Sequence, residues 1–430
     1  MKASIITVGD ELLSGERLDT NSQWLGQYLS NHNVEVRRIL NTADHLGEIE
    51  QALRAALNEE DLVILTGGLG PTNDDRTKEA LQNLFQIPLT RHEPTLAHIK
   101  KYFDQKNRKM TESNYRQADV LSNCEVLFNE TGTAPGMWFE VEGVGLAVLP
   151  GVPHEMKYLM KERVQPKIER LKSWMDRRPV AIYYLQTAGV GESTLSDEVL
   201  PDLPGYESDQ IKIAFLPHPG GVSIRVNAYG ESLQKARNKA EPVLSYIREQ
   251  ASGHIFHEGR EHSLEGVLGE LLSDSGKRIA VAESCTGGLL LNTLTDVPGS
   301  SAYVEGGIIA YSNEMKKRHL DVTDGMLVEH GAVSKEVALQ MCRAAAARSD
   351  ADIGVSTTGI AGPTGGSADK PVGMVWIGYW SVNEHFAVKA NFTKDRLINK
   401  QKSVAVAMDL VRRRIQGIES TPYALQLQYH

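Results

Sequence analysis

Three times between residues 278 and 363, an apolar run of strand length breaks off into glycines, hydroxyls or a lysine–tyrosine pair. Arg278-Ile279-Ala280-Val281 leads through Ala282-Glu283-Ser284-Cys285-Thr286-Gly287-Gly288 into an apolar helical pattern from Leu289. Gly306-Gly307-Ile308-Ile309-Ala310 reads as a buried strand and ends in Tyr311-Ser312-Asn313-Glu314-Met315-Lys316-Lys317. Val355-Ser356-Thr357-Thr358-Gly359-Ile360-Ala361-Gly362-Pro363 again carries apolar residues into Thr and Gly. Three such strand ends predict one crevice at the carboxyl edge of a sheet.

Ser284 has three roles open to it at this junction. Its hydroxyl can cap the following helix. The glycines can let a phosphate approach the backbone amides at the positive helix end. The hydroxyl can also be a nucleophile, with those amides stabilising an oxyanion. No His lies near in sequence to activate it, so a Lys base is the natural substitute once burial lowers its pKa. Of Lys316 and Lys317, one belongs on a solvated helix face.

Residues 282–288, 311–316 and 358–363 together resemble the nicotinamide mononucleotide deamidase family, also called the CinA carboxy-terminal family. The resemblance covers most of 260–415 and implies hydrolysis of nicotinamide mononucleotide to nicotinic acid mononucleotide and ammonia, with no cofactor in this domain. It places the nucleophile on Ser284, with Tyr311 and Lys316 handling protons and Thr358 in the same site. It assigns Thr286, Gly287, Gly288, Asn313 and Gly359 to substrate binding. The family's phosphate-binding cation falls near Lys394-Asp395-Arg396-Leu397-Ile398-Asn399-Lys400, where this chain departs from the pattern. Lys394 stands where Gly is usual and Lys400 where Arg is usual, which leaves the contact between Arg396 and Lys400, since Lys offers no bidentate fork.

At 430 residues the chain exceeds one ordinary core, and two or three domains are expected. A net charge of −9 argues against general nucleic-acid binding. Cys124, Cys285 and Cys342 have no metal-ligand spacing and form an odd set, which favours a reducing compartment. Cys285 is a second candidate nucleophile beside Ser284. The apolar run 2–8 is too short for a signal sequence, and no run approaches membrane-spanning length, so a cytoplasmic protein without a membrane partner is expected.

Residues 1–170 alternate strand patterns (3–8, 34–40, 61–66) with amphipathic helical ones (20–30, 47–57). That order predicts a mostly parallel sheet with helices on both faces and a ligand site at the strand carboxyl ends. The ends carry Gly9-Asp10-Glu11, then Asn41-Thr42-Ala43-Asp44, then Gly67-Gly68-Leu69-Gly70-Pro71-Thr72-Asn73-Asp74-Asp75-Arg76-Thr77. Glycines that bare amides beside acids suggest a divalent cation and a phosphoanhydride. Alternatively, Asp44 and Asp75 cap helices, or Arg76 and Lys78 neutralise them. His154, after the rigid turn Leu149-Pro150-Gly151-Val152-Pro153, reads as a ligand or base, or simply as a helix start.

This segment resembles the MoaB/MogA-type molybdopterin-binding fold through 67–71 followed by Asp75 and Thr77, with Leu69 where many members have Thr. Gly132-Thr133-Ala134-Pro135-Gly136 and 149–156 narrow it to the CinA amino-terminal subfamily. The resemblance implies metal-dependent cleavage of ADP-ribose to AMP and ribose 5-phosphate. Asp44 and Asp75, expected at adjacent strand ends, would hold a divalent metal such as magnesium, with K+ as a further candidate ion. Asp75 would also be catalytic. Asp10, Gly67, Gly68, Gly70, Asn73, Gly151 and His154 would bind substrate, although Asp10 stands where many members have Thr.

A polar stretch at 170–178 closed by Pro179 reads as a boundary. Then come a strand (181–187), a helix (193–200), two strands (211–216, 222–228) and a long amphipathic segment (233–250) whose second part Pro242 should begin or kink. This α+β unit resembles a KH-like domain. Its Gly189-Val190-Gly191-Glu192 lacks the basic residues of a nucleic-acid-binding KH loop, so a structural or dimerising spacer is expected. The expected organisation is therefore a three-layer α/β MoaB/MogA-like domain (1–170), a KH-like α+β domain (171–253), an α/β deamidase domain (254–418) and a tail (419–430) in which Leu425, Leu427 and Tyr429 could form an edge strand. The resemblances together imply a homodimeric enzyme recycling fragments of pyridine nucleotides. The alternatives are a competence or DNA-repair accessory, or a molybdopterin binder, with vestigial catalysis.

Overall fold

The computed structural model describes residues 1–72, 74–176, 178–204 and 208–429. The chain divides into two compact units, Met1–Arg178 and Pro179–His430.

In the first unit, strands β1 (Lys2–Val8), β2 (Glu35–Thr42) and β3 (Leu62–Thr66) are joined by helices α1 (Thr20–Asn31) and α2 (Leu46–Glu59). Helix α3 (Thr77–Phe85) follows, then α4 (Glu93–Gln105) and a small ribbon of β4 (Leu89–Arg91) with β5 (Asp119–Leu121). Strands β6 (Glu125–Leu127), β7 (Gly136–Val141) and β8 (Val144–Leu149) complete a sheet of order β2-β1-β3-β8-β7-β6. Its first four strands are parallel, β7 pairs antiparallel with β8, and β6 antiparallel with β7. Side chains alternate across it: Ile5 and Ile64 pack under Leu25 and Leu29 of α1, while Ile6 and Leu65 pack under Ile49 and Leu53 of α2. Each fully buried Ile or Leu contributes about 1.5–3 kcal/mol. β3, buried on both sides, is apolar from Leu62 to Leu65, and β2, at the edge, is mostly exposed. Because β2 and β3 flank β1 on opposite sides, their ends are not adjacent as the sequence reading supposed. Helix α5 (Pro153–Leu159) starts on its proline, the position where a missing N–H costs nothing.

The second unit begins with a four-stranded antiparallel sheet, β10-β11-β9-β12, built from β9 (Val180–Thr187), β10 (Ile211–His218), β11 (Gly221–Tyr229) and β12 (Ile255–Glu258). Helix α6 (Leu233–Gln250) covers it with Ala240, Val243, Leu244 and Ile247. It runs on across Pro242, which lies on the exposed side, so no second helix begins there.

A second sheet follows: β13 (Ile279–Glu283), β14 (Val304–Ile309), β15 (Ile353–Gly359), β16 (Met374–Ser381), β17 (His385–Asn391) and β18 (Leu427–Tyr429), in the order β14-β13-β15-β16-β17-β18. Its helices are α7 (Leu264–Ser275), α8 (Leu289–Thr295), α9 (Asn313–Leu320), α10 (Asp324–His330), α11 (Lys335–Ser349) and α12 (Arg396–Ile415). β13 lies between β14 and β15, parallel to both, so the three junctions noted in the sequence emerge side by side. β14 is an edge strand with alternating exposure rather than a buried one, and Ile309 at its end is 46% exposed. The edge strand expected in the tail forms over Leu427–Tyr429, with Leu425 outside it. Thr421 and Pro422 are buried, and β18 pairs with β17.

Candidate active site

Ser284 is the first residue after β13, held there by its own N–H donating to the Thr357 carbonyl at 2.9 Å. Lys316 comes from α9, whose Ser312 cap accepts the Met315 N–H at 3.2 Å. Its Nζ lies 2.9 Å from Ser284 Oγ, 2.9 Å from the Ala310 carbonyl and 3.5 Å from that of Tyr311. Both side chains are buried, Ser284 7% and Lys316 2% exposed. Burial pushes the Lys316 amine below its ordinary range, with Cys285 pulling weakly the other way. Lys317 fits the solvated face: it pairs with Glu314 at 2.7 Å and Asp324 at 2.9 Å.

The turn after Ser284 is tied down from inside. Glu283 is wholly buried, and its carboxylate accepts N–H bonds from Gly288 (3.0 Å), Leu290 (3.1 Å) and Leu291 (2.8 Å). Gly287 N–H donates to the Ser284 carbonyl and Leu289 N–H to that of Thr286. The amides of Cys285 and Thr286 have no hydrogen bond to another residue among the described residues. Any oxyanion donors in this turn are therefore those two, and the expected Gly288 amide is already taken. Cys285 is buried, and burial pushes its thiol up to about 12, so it stays protonated at neutral pH.

Other residues named from the sequence sit farther from the chemistry. The Thr286 hydroxyl is 2.6 Å from that of Thr357, both buried. Thr358 donates to the Ala332 carbonyl at 2.7 Å and so anchors a neighbouring loop. A Cβ on Gly359 would come 2.6 Å from Val375, so strand packing alone requires glycine there. Asn313 is exposed in the first turn of α9. Tyr311 is 63% exposed, and its hydroxyl accepts from Arg396 Nη2 at 3.2 Å; only its carbonyl reaches Lys316. Arg396 also donates to the Gly362 carbonyl at 2.9 Å. Lys400, one turn on, stands over the Ser284 turn, its Nζ 3.7 Å from where a Cβ on Gly287 would be. Among the described residues it has no ion-pair or hydrogen-bond partner.

In the first unit, Asp10 and Asp44 meet through backbone bonds: Asp10 N–H donates to Asp44 Oδ2 at 3.1 Å, and Asp44 N–H to Asp10 Oδ1 at 3.3 Å. Burial raises the Asp44 pKa, and the charges of Asp10, Glu11 and Asp74 raise it further. Asp75 is turned into its own loop, with Oδ1 accepting the Gly70 N–H at 2.8 Å and Oδ2 the Thr72 N–H at 2.8 Å. The structure thus joins Asp44 to Asp10 rather than to Asp75. Among the described residues no three His, Cys, Asp or Glu side chains gather as a ready ligand set. A cation beside Asp10 and Asp44 fits all the same, because it would relieve the repulsion on Asp44.

Gly67 gives its N–H to the Leu149 carbonyl, and a Cβ there would meet the Val8 carbonyl at 2.4 Å. Gly151 packs on Gly67, and a Cβ on Gly68 would meet the Thr77 hydroxyl at 2.3 Å. Gly68 and Leu69 keep amides with no hydrogen bond to another residue among the described residues. His154 is exposed at the start of α5, while its neighbour Glu155 is buried and accepts from Asn129 at 2.6 Å. Asn73 lies outside the described residues. Sequence reasoning missed Glu283 and Glu155. The signal for Glu155 was an acid in the first turn of a helix, and for Glu283 an acid closing an apolar strand just before a glycine turn.

Comparison with known proteins accounts for nearly the whole chain. Residues 4–170 match the model described as "Probable molybdopterin binding domain", 183–256 the "Damage-inducible protein CinA KH domain", and 261–415 the "CinA C-terminal domain". A CinA-like protein of Cytophaga hutchinsonii is 39% identical over 97% of this chain and 99% of its own. One of Salinibacter ruber is 40% identical over 96% of this chain and 99% of its own. A solved structure, the protein CinA of Thermoplasma acidophilum, is 39% identical over 38% of this chain and 96% of its own, with a TM-score of 0.36.

Proposed function

The chain belongs to the CinA family, and on that premise we propose that its carboxy-terminal domain is a serine amidohydrolase that deamidates nicotinamide mononucleotide. The observation that carries this reading is the 2.9 Å approach of the buried Lys316 amine to the Ser284 hydroxyl. A neutral amine has two N–H groups and one lone pair. The Ala310 and Tyr311 carbonyls take the N–H groups, and the lone pair faces Ser284 Oγ. Lys316 removes the hydroxyl proton as Oγ attacks the carboxamide carbon, and the amides of Cys285 and Thr286 receive the oxyanion. The ammonium of Lys316 then protonates the carboxamide nitrogen, and the C–N bond breaks to release ammonia. Water, deprotonated by the same amine, then attacks the acyl carbon, and Lys316 returns that proton to Ser284 Oγ as nicotinic acid mononucleotide leaves. Lys400, unpaired among the described residues and standing over Gly287, receives the substrate phosphate, and Arg396, held by Tyr311 and Gly362, borders it. Incubation with nicotinamide mononucleotide tests this through stoichiometric ammonia and nicotinic acid mononucleotide; the absence of both contradicts it.

For the amino-terminal domain the reading is metal-dependent hydrolysis of ADP-ribose, supported by the convergence of Asp10 on the repelled Asp44 carboxylate. Those two acids would hold the cation, which would neutralise phosphoryl charge when bound. The free amides of Gly68 and Leu69 orient a phosphate. Asp75 shapes their loop. Cleavage of ADP-ribose to AMP that persists in excess chelator removes the metal from this reading.

A further inference from the structure

A carboxylate with no basic partner lies wholly buried beside the Ser284 turn. Glu283 has no ion pair among the described residues, yet three backbone N–H groups converge on its two oxygens. Charge-assisted bonds of this kind are about twice as strong as neutral ones. They run from the last residue of β13 to the first turn of α8, closing a ring around 284–288. Within that ring Gly287 (φ 64°) and Gly288 (φ 93°) adopt left-handed conformations that glycine takes at little cost. A Cβ on Gly288 would also press on Ile309 at 2.9 Å. The ring therefore has little freedom to turn Ser284 away from Lys316.

We propose that Glu283 is the positioning residue of this site: its carboxylate ties down the Gly288, Leu290 and Leu291 N–H groups and fixes the turn, so that Ser284 faces Lys316 and only the Cys285 and Thr286 amides remain for the reacting carbonyl. The glycine turn is then no phosphate cradle, because its own chain supplies the anion. The substrate's phosphate is left to the cations of α12. This inference rests on the nucleophile assignment above.

The test uses the full-length protein and its Glu283→Gln and Glu283→Ala variants, with and without formate, and Ser284→Ala as control. Two readings are taken: ammonia release from nicotinamide mononucleotide, and the rate at which a fluorophosphonate probe labels Ser284. Gln keeps the size but loses the charge, and a misplacement of about 1 Å costs about 100-fold in rate. Glu283→Gln should therefore lower kcat by about 100-fold with KM changed less than about threefold, and labelling should slow in parallel. Formate should restore part of the rate to Glu283→Ala and none to Ser284→Ala. Native kcat and labelling in Glu283→Gln would overturn the proposal. A risen KM at unchanged kcat would overturn it too, as would a Glu283→Ala variant with native melting behaviour that ignores formate. A native protein that labels at Ser284 but leaves the mononucleotide intact contradicts the deamidase reading alone, and labelling then still decides the role of Glu283. A native protein that does neither contradicts both.

Discussion

Lys316 reaches across from α9 to bring its amine 2.9 Å from the hydroxyl of Ser284 at the end of β13, and both groups are buried. The next residue, Lys317, points outward to Glu314 and Asp324. Lys316→Met should abolish ammonia release, while Lys317→Ala should stay within about twofold of native, as expected for a surface ion pair. Steady-state rates of the two variants check this.

The acid side of the pH–rate profile should belong to Lys316. Burial holds its pKa below the ordinary 10.5, and only the neutral amine can take the serine proton. Activity should rise with pH through that lowered pKa and level off above it. The unfolded chain keeps the proton up to 10.5, so at lower pH the buried amine costs stability, and the cost shrinks as pH rises through the window between the two values. At pH 7, Lys316→Met should accordingly melt no lower than native while being inactive. Thermal melts and pH–rate curves check both halves.

Among the described residues Lys400 has no hydrogen-bond or ion-pair partner near the turn, whereas Arg396 is committed to Gly362 and Tyr311. Lys400→Met should raise KM for nicotinamide mononucleotide by about 10- to 100-fold, the loss of one charge-assisted bond of about 1.5–3 kcal/mol. Its effect on the phosphate-free riboside should be negligible. Comparing the two substrates isolates the phosphate contact.

Much of this arrangement was legible in the sequence because it rests on period and punctuation. Short apolar runs ending in glycine and hydroxyls marked β13, β14 and β15, and their parallel order brought the three ends together. Side-chain direction was not legible. Tyr311 turns its ring outward to Arg396, and Thr358 turns its hydroxyl to Ala332, because which face a residue at a strand end presents depends on packing partners distant in sequence. Asp75 was legible as an acid in a glycine loop, but not that both its oxygens would be tied to that loop's amides. Nor could Pro242 be placed on the outer side of α6 without knowing which side the sheet covers.

The same limit hid a buried charge cluster. Asp409 accepts from Arg412 at 2.7 Å and Arg413 at 2.8 Å, all three on α12 and buried, and a Cβ on Gly189 would approach Asp409 Oδ2 at 2.5 Å. The Gly189 turn of the KH-like region is thus packed on the carboxy-terminal helix. Asp409→Asn strands two buried guanidinium groups and should cost about 3–5 kcal/mol. His254 faces Arg413 at 3.2 Å, and burial, then that charge, lower its pKa below 6.5. The unfolded state binds the proton first as pH falls, so stability should decline from pH 6.5 downward. Replacing His254 with Gln should flatten that decline, as read by melting temperature against pH.

Ser284 and Cys285 stand side by side, and the proposed nucleophile is the hydroxyl, because Lys316 meets it while the thiol is held protonated. The decisive measurement is ammonia release from nicotinamide mononucleotide by Ser284→Ala and Cys285→Ser at pH 7. Loss of a nucleophile of this kind costs several orders of magnitude, about 10⁶ in a serine protease. Ser284→Ala should fall toward the uncatalysed rate, and Cys285→Ser should keep most of its activity. Comparable turnover by Ser284→Ala with a dead Cys285→Ser would contradict the account and move the chemistry to the thiol.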